Sequence, residues 1–493
     1  MQIPSPSLGT WMPSLMAGPR IGLQSPMKNI SLLLRVLSAL LALVLTLSAE
    51  ETELTQERLE AAYKDALTAM ENEVKQRGGP AFHAPPFKLA SRKDLAQAVA
   101  LENLPIIRLR QPDEAAAKRE ADAFGSGFAL LAIAKYCWST KEMLVVRPNW
   151  KLQIKSFPEL RLGEDDALRA IMVHELCHAL DDQAHDFTKL LQKGESADAV
   201  SALNAVIEGS AQHQARRICT AAGWKDGFER FTAGIARLPE SEEDLGEAYK
   251  LILNAYAQQL GFAYHQGEPF VAAVEKAGGA EALKRIFTHP PRDTEEILQP
   301  KWYLDPKSRP AQLYDLEPAL ELFLTGFDPK EWNSTRMTLN GQQLAAGLAM
   351  LDPADRDRIQ RGLRGARFVQ LTPIKDPTSK IAVLVVMEFD SDDAAQHFLD
   401  QAAKLSKLKD ETMTKGIVRI VDSKSSPIEL PNGKGWIHEK RMINGTLNFP
   451  VSSVDVRRGR ILVETVFSGE PPPRELHEEM VNKLLMQPKR KQP

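Results

Sequence analysis

The chain has 493 residues, 43% of them hydrophobic and 26% charged, which is ordinary for a globular protein and long enough for two or three cores. Its 62 basic and 65 acidic residues leave a formal net charge of −3, which argues against nucleic acid or an anionic membrane as the main partner. With 3 cysteines it is not a disulfide scaffold.

Residues 1–26 are rich in Pro, Ser and Gly and show no periodicity. From Met27, "MKNISLLLRVLSALLALVLTLSA" reads as a signal peptide. It has a basic start, an apolar run from Val36 to Leu47 too short for a comfortable bilayer span, and the small-residue pattern Leu47-Ser48-Ala49. The expectation is a start at Met27 rather than Met1, cleavage near Ala49, a periplasmic or secreted protein, and no stable transmembrane anchor. The alternative is a chain held to the membrane by this segment. Cys137 and Cys219 are candidates for pairing, which the sequence leaves open, and Cys177 reads as a small buried residue.

Beyond the signal, 51–78 reads as a polar helix, and 80–113 as Pro-rich and irregular with a short helix near 91–102. The spacing predicts a helix over 114–137 and a strand over 142–148 closed by Pro148. Helices are expected at 163–183, with an acidic first turn, at 196–222 and at 241–263, followed by a helix pair around 268–287. Residues 300–330 are a Pro-rich boundary. After about 350 the pattern turns to strands, with strand–turn–helix at 381–406 and 461–486. The fold class is therefore α+β. A mainly helical, zincin-like domain with a short edge strand precedes a smaller α+β domain, which reads as ferredoxin-like. The expected divisions are 1–49, 50–113, 114–305, a linker at 306–350, and 351–493.

The chemistry sits in "RAIMVHELCHALDDQ" (169–183). His174-Glu175-Leu176-Cys177-His178 is HExxH. On a helix, positions i and i+4 share a face, so two imidazoles can grip one Zn²⁺ while Glu175 reaches its water as general base. Chance occurrence of this pattern in such a chain is on the order of one per cent. A catalytic zinc needs a third protein ligand and one open position. Glu208, in "NAVIEGSAQHQ" on the next expected helix, fits that role, with His213 as the alternative. Asp182, four residues after His178, is a candidate acceptor for the imidazole N–H that does not face the metal. Strand 142–147 is a candidate edge for an extended peptide. In "RIFTHPPRDTEEILQP" (285–300), His289 and Arg292 flank a rigid Pro-Pro loop and are candidate oxyanion donors.

"VHELCHALDDQ" resembles the "HELxHALQDQ" signature of a bacterial family of exported, gluzincin-like metallopeptidases. "ALNAVIEGSAQ", "YHQGEPFVAAVEKAGGAEALKRIF", "PPRDTEEILQPKWYL", "TLNGQQLAAGLAML" and "MEFDSDDAAQHF" are similar to further stretches of that family, so the likeness runs loosely from about 120 to 405. The "FTHPP" loop also looks like that of integral-membrane heat-shock metallopeptidases, whose multiple spans are missing here. The resemblance implies His174, His178 and Glu208 as zinc ligands and Glu175 as base. The chain departs from the pattern at Gln212, where related proteins carry an acidic residue, at Asp181, where the family has glutamine, and at Gln299, where it has histidine. The expected function is an exported zinc endopeptidase acting on a peptide or protein, with one Zn²⁺ per chain. The alternative is an inactive, metal-stabilised envelope or binding protein working through its C-terminal domain.

Overall fold

The computed structural model describes residues 53–79, 81–108, 113–194, 196–235, 247–348, 350–376, 379–412, 418–444 and 447–491. The expected signal peptide and the start of the helix expected at 241–263 lie outside the described residues.

The fold is α+β. Helix α1 (Gln56–Gln76) starts at Thr55, whose side chain accepts from the Arg58 N–H. It buries Leu59, Ala62, Ala66, Met70 and Val74 at helical spacing. Strand β1 (Phe87–Leu89) and helices α2 (Arg92–Arg108) and α3 (Glu114–Ala129) follow. Then come β2 (Ala134–Cys137), β3 (Glu142–Val145) and α4 (Arg147–Ser156). The HExxH helix is α5 (Asp165–His185). After it run α6 (Phe187–Gln192), α7 (Ala197–Ala221), α8 (Lys225–Ile235) and α9 (Glu247–Thr288).

Three expectations change here. The helix expected over 114–137 ends at Ala129, because the buried Asn149 amide donates to the Ala129 and Ala132 carbonyls at 2.8 and 2.7 Å and caps that end. The chain then enters β2, which pairs antiparallel with β3. Strand β3 is the centre of a three-stranded sheet in the order β1-β3-β2, so the strand expected as an edge is an inner one. The free edge beside α5 belongs to β2. Likewise α9 runs unbroken through Pro269, and its one interruption is Gly279 at φ 64°, ψ −154°.

Short helices α10 (Thr294–Leu298) and α11 (Pro300–Leu304) lead to β4 (Tyr314–Asp315) and α12 (Glu317–Leu324). The rest is β5 (Trp332–Leu339), α13 (Gly341–Gly347), α14 (Pro353–Gly362), β6 (Leu363–Pro373), β7 (Ile381–Phe389) and α15 (Asp392–Thr412). Then follow β8 (Val418–Leu430), β9 (Gly433–Asn444), β10 (Leu447–Arg458), β11 (Ile461–Ser468), α16 (Arg474–Leu484) and β12 (Lys489–Arg490), which pairs with β4. Seven strands form one antiparallel sheet in the order β5-β6-β7-β11-β10-β9-β8. That differs from the β-α-β-β-α-β path of a ferredoxin-like domain, because four strands, not two, separate α15 from α16. Strand β5 and helix α12 come from the segment expected as a linker.

Helices cover both faces of this sheet. Leu320, Phe323, Val481 and Leu484 pack on one face, and Leu344, Ile359, Phe398 and Leu399 on the other. Burial on two sides explains why "IAVLVVMEF" is a continuous apolar run rather than an alternating one. No helix among the described residues is long and apolar enough to cross a membrane.

Candidate metal centre

Helix α5 is buried on nearly every side. Helix α1 packs along it with Leu59, Ala66 and Met70 against Ile171, Met172 and Leu176, and α7 and α8 add Ala211, Ala215 and Phe228. A helix enclosed in this way needs apolar residues all round, which is why "AIMV" directly precedes the motif. Arg58 and Arg230 pair with Asp165 and Asp166 in its first turn, both at 2.6 Å. Segment 50–113 therefore contributes a helix to the core around the motif.

His174 is 0% exposed and His178 7%. Their Nε2 atoms lie 3.1 Å apart. Glu208 Oε2, on α7, lies 3.4 Å from His174 Nε2 and 3.2 Å from His178 Nε2. Ligands about 2.0–2.1 Å from a tetrahedral zinc are about 3.3–3.4 Å apart, so the triangle has the size such an ion requires. Among the described residues, these three form a group whose donor atoms converge closely enough to hold a metal. Glu208 Oε2 has no hydrogen-bond partner. Burial opposes charge on both His178 and Glu208, yet their mutual attraction outweighs it. His178 is held above the usual histidine range and Glu208 well below the usual carboxylate range. A field that favours a proton between them also favours a divalent cation.

The close approach of α7 and α9 depends on two glycines. A Cβ on Gly209, next to Glu208, would collide with the Gly267 backbone, and one on Gly267 would collide with the Ala205 carbonyl. This crossing brings Tyr264 to the site, its ring centroid 5.6 Å from that of His174. Burial raises the Tyr264 hydroxyl well above its ordinary range, and the Glu208 and Glu175 carboxylates add to that, with a hydrogen bond to Glu208. Sequence reasoning passed over Tyr264. Its only signal in the sequence is helical spacing from Tyr256 and Leu260, which is equally the pattern of a packed apolar face.

Glu175 is 7% exposed, and its Oε2 accepts the Tyr136 backbone N–H at 2.6 Å. In β3 the opposite residue, Met143, sends its N–H the other way, to the Pro86 carbonyl at 2.9 Å. The outer edge of β2 thus faces the motif glutamate. Behind this strand, Lys135 and Glu102 form a buried pair at 3.1 Å.

Several expected residues stand elsewhere. Asp182 does not serve His178. Its carboxylate accepts from the Tyr136 hydroxyl and Lys141 Nζ at 2.6 Å each, and from the Phe187 N–H at 2.9 Å. It ties the β2–β3 hairpin and the start of α6 to α5. Asp181, one residue earlier, feels the His178 charge, but its hydrogen-bond partners are Ser210 and Gln214. Burial raises it, while Ser210 and both oxygens' contacts to Gln214, at 2.9 and 3.0 Å, oppose that rise. His213 pairs with Glu275 at 2.7 Å and stands outside the metal triangle. His289 is exposed and contacts the Thr288 hydroxyl at 3.1 Å, and Arg292 is bound to Glu296 at 2.6 Å. Neither joins the cluster, because the Pro-Pro loop closes on α10 instead. Cys137, Cys177 and Cys219 are free and buried.

No family model matches the chain, and no curated protein matches it. Among solved structures, the extracellular domain of PknH from Mycobacterium tuberculosis is similar at 11% identity with a TM-score of 0.24, covering 36% of this chain and 97% of that one. An uncharacterized protein from Mycobacterium smegmatis, the Rv0999 ortholog, is similar at 9% identity with a TM-score of 0.19, covering 35% of this chain and 95% of that one. Scores of this size carry no argument about fold or chemistry.

Proposed function

We propose that this protein is an exported, zinc-dependent endopeptidase whose helical part is zincin-like. The observation that supports the reading is the triangle of His174, His178 and Glu208 donor atoms, 3.1–3.4 Å on a side, with Glu175 beside it. The likeness to the "HELxHALQDQ" pattern points the same way. Zinc in such a site supplies a Lewis acid for a peptide carbonyl and a water of lowered pKa.

The chain's own groups divide the remaining work. Glu175 takes a proton from water and passes it to the departing amine. Tyr264, its hydroxyl kept neutral, donates to the carbonyl oxygen as charge builds there. An extended peptide lies along the outer edge of β2, where it would have to displace the Glu175 contact to the Tyr136 N–H, and so sets the scissile bond beside Glu175. Asp182 acts through β2 by holding Tyr136 and Lys141.

Metal analysis of the exported form, paired with a casein-cleavage assay, tests the reading. About one zinc per chain and chelator-sensitive cleavage are expected. Bound zinc without cleavage, together with a biological effect that survives loss of residues 1–340, would favour a metal-stabilised binding protein instead.

A further inference from the structure

The stretch "PPRDTEEILQPKWYL" (290–304) takes no part in the metal cluster. It forms one wall of a cleft where the helical part meets the sheet domain. The cleft has a volume of about 590 Å³, within the range of small-molecule sites. It is lined by Lys301 and Trp302 of α11, Arg358 and Arg361 of α14, Arg364 of β6 and Asp393 of α15, among others.

Arg364 is only 9% exposed at its side chain. Its guanidinium lies 4.9 Å from the Trp302 ring centroid. It donates to the Arg361 and Leu363 carbonyls and to Asp390, yet its Nε has no partner. The Trp302 indole N–H, on a side chain 3% exposed, also has none. Buried polar groups are nearly always paired, so two orphans on adjoining residues are informative, and both are donors. Arg361 is engaged by Asp357 at 2.8 Å. Among the described residues Lys301 and Arg358 have no carboxylate partner. Of the carboxylates lining the cleft, Asp357 and Asp390 are held by Arg361 and Arg364, while Asp393 remains as an acceptor for a donor on a ligand.

We propose that this cleft binds a small organic anion bearing hydroxyl groups, its phosphate or carboxylate held by Lys301 and Arg358 and a hydroxyl by Asp393. Arg364 and Trp302 form the rigid floor between them. The site lies apart from the metal triangle and does not depend on peptidase activity.

Calorimetric titration of the full chain decides the matter. Glucose 6-phosphate and glucuronate serve as hydroxylated anions, with glucose and inorganic phosphate each carrying only one of the two features. At least one hydroxylated anion is expected to bind about tenfold more tightly than either control. Preference between the two tells a phosphate site from a carboxylate site. The double variant Lys301→Ala/Arg358→Ala should weaken that binding about tenfold or more, with unchanged circular dichroism and zinc content. Absence of binding at millimolar concentration, undiminished binding by the variant, or equal binding of inorganic phosphate would each overturn the assignment.

Discussion

The protein buries titratable groups both around α5 and beneath α15, and handles them differently in the two places. In the sheet domain, Glu464 of β11 stands directly opposite Asp455 of β10, beneath α15. Burial, and then Asp455, push the Glu464 carboxyl far above its ordinary range, while burial lowers Lys409. Nearby, His438 meets the Ser425 hydroxyl at 2.7 Å and Asp455 at 3.3 Å. That cluster answers its burial mainly by shedding charge, although His438 Nε2 also lacks a hydrogen-bond partner. Around α5, by contrast, His174 Nε2, His178 Nε2 and Glu208 Oε2 converge on one point, 3.1–3.4 Å apart. The contrast shows that a collection of buried titratable residues is not yet a site. Convergence of unsatisfied donor atoms on a common point is what calls for an ion.

The sharpest way to break this comparison is Glu175→Gln. The variant should keep zinc and lose about 10²–10⁴-fold in casein turnover, and full activity would remove Glu175 from the chemistry. Next is Glu208→Ala, which takes away a ligand rather than a supporting group. Its zinc affinity, read by competition with a chromophoric chelator, should fall more than about 100-fold, the upper range for loss of a mere supporting contact. Unchanged affinity would dissolve the triangle.

Met70→Ala addresses the wall behind the centre. Met70 is 0% exposed within the core shared by α1 and α5. A loss of about 2–5 kcal/mol in urea unfolding is expected, and no loss would mean that 50–113 is a detachable segment.

His477 sharpens the other half. Burial drops its pKa from 6.5 to about 4, between Ser452 and Thr465 hydroxyls at 3.0 and 2.7 Å. Because the folded value lies below the unfolded one, unfolding takes up a proton. Its contribution is present above about pH 6.5 and is lost as pH falls toward 4, up to about 3 kcal/mol. His477→Gln should flatten that slope in melting curves between pH 4 and 7, and an unaltered slope would refute the assignment. The smallest effect belongs to Lys141→Ala. Lys141 is 57% exposed at its side chain, so its bond to Asp182 is expected to contribute less than about 1 kcal/mol, with zinc content unchanged.

Much of the centre was legible because a helix repeats every 3.6 residues. The i, i+4 spacing alone puts His174 and His178 on one face, and "AIMV" before them announces burial. The same rule failed for Asp182. A shared face does not say which neighbour lies over that turn, and here the β2–β3 hairpin claims it. Glu208 was readable only as a residue of the right type on the next helix. Tyr264 was hidden because a tyrosine on an apolar helix looks the same whether it packs or donates. In the sheet domain the strands were visible as apolar runs, while their order was not, since pairing joins β7 to β11 across about seventy residues.

From the residues alone came the chemical vocabulary: two imidazoles and a carboxylate on one helix, an acidic helix start, and a β-rich second half. Local backbone geometry enforces those features wherever the chain goes. The meeting of α7 with α9 at two glycines, the placement of β2 rather than β3 at the open edge, and the convergence of Glu208 on the histidine pair were settled only by packing. They depend on backbones approaching one another over sequence separations that no local period encodes.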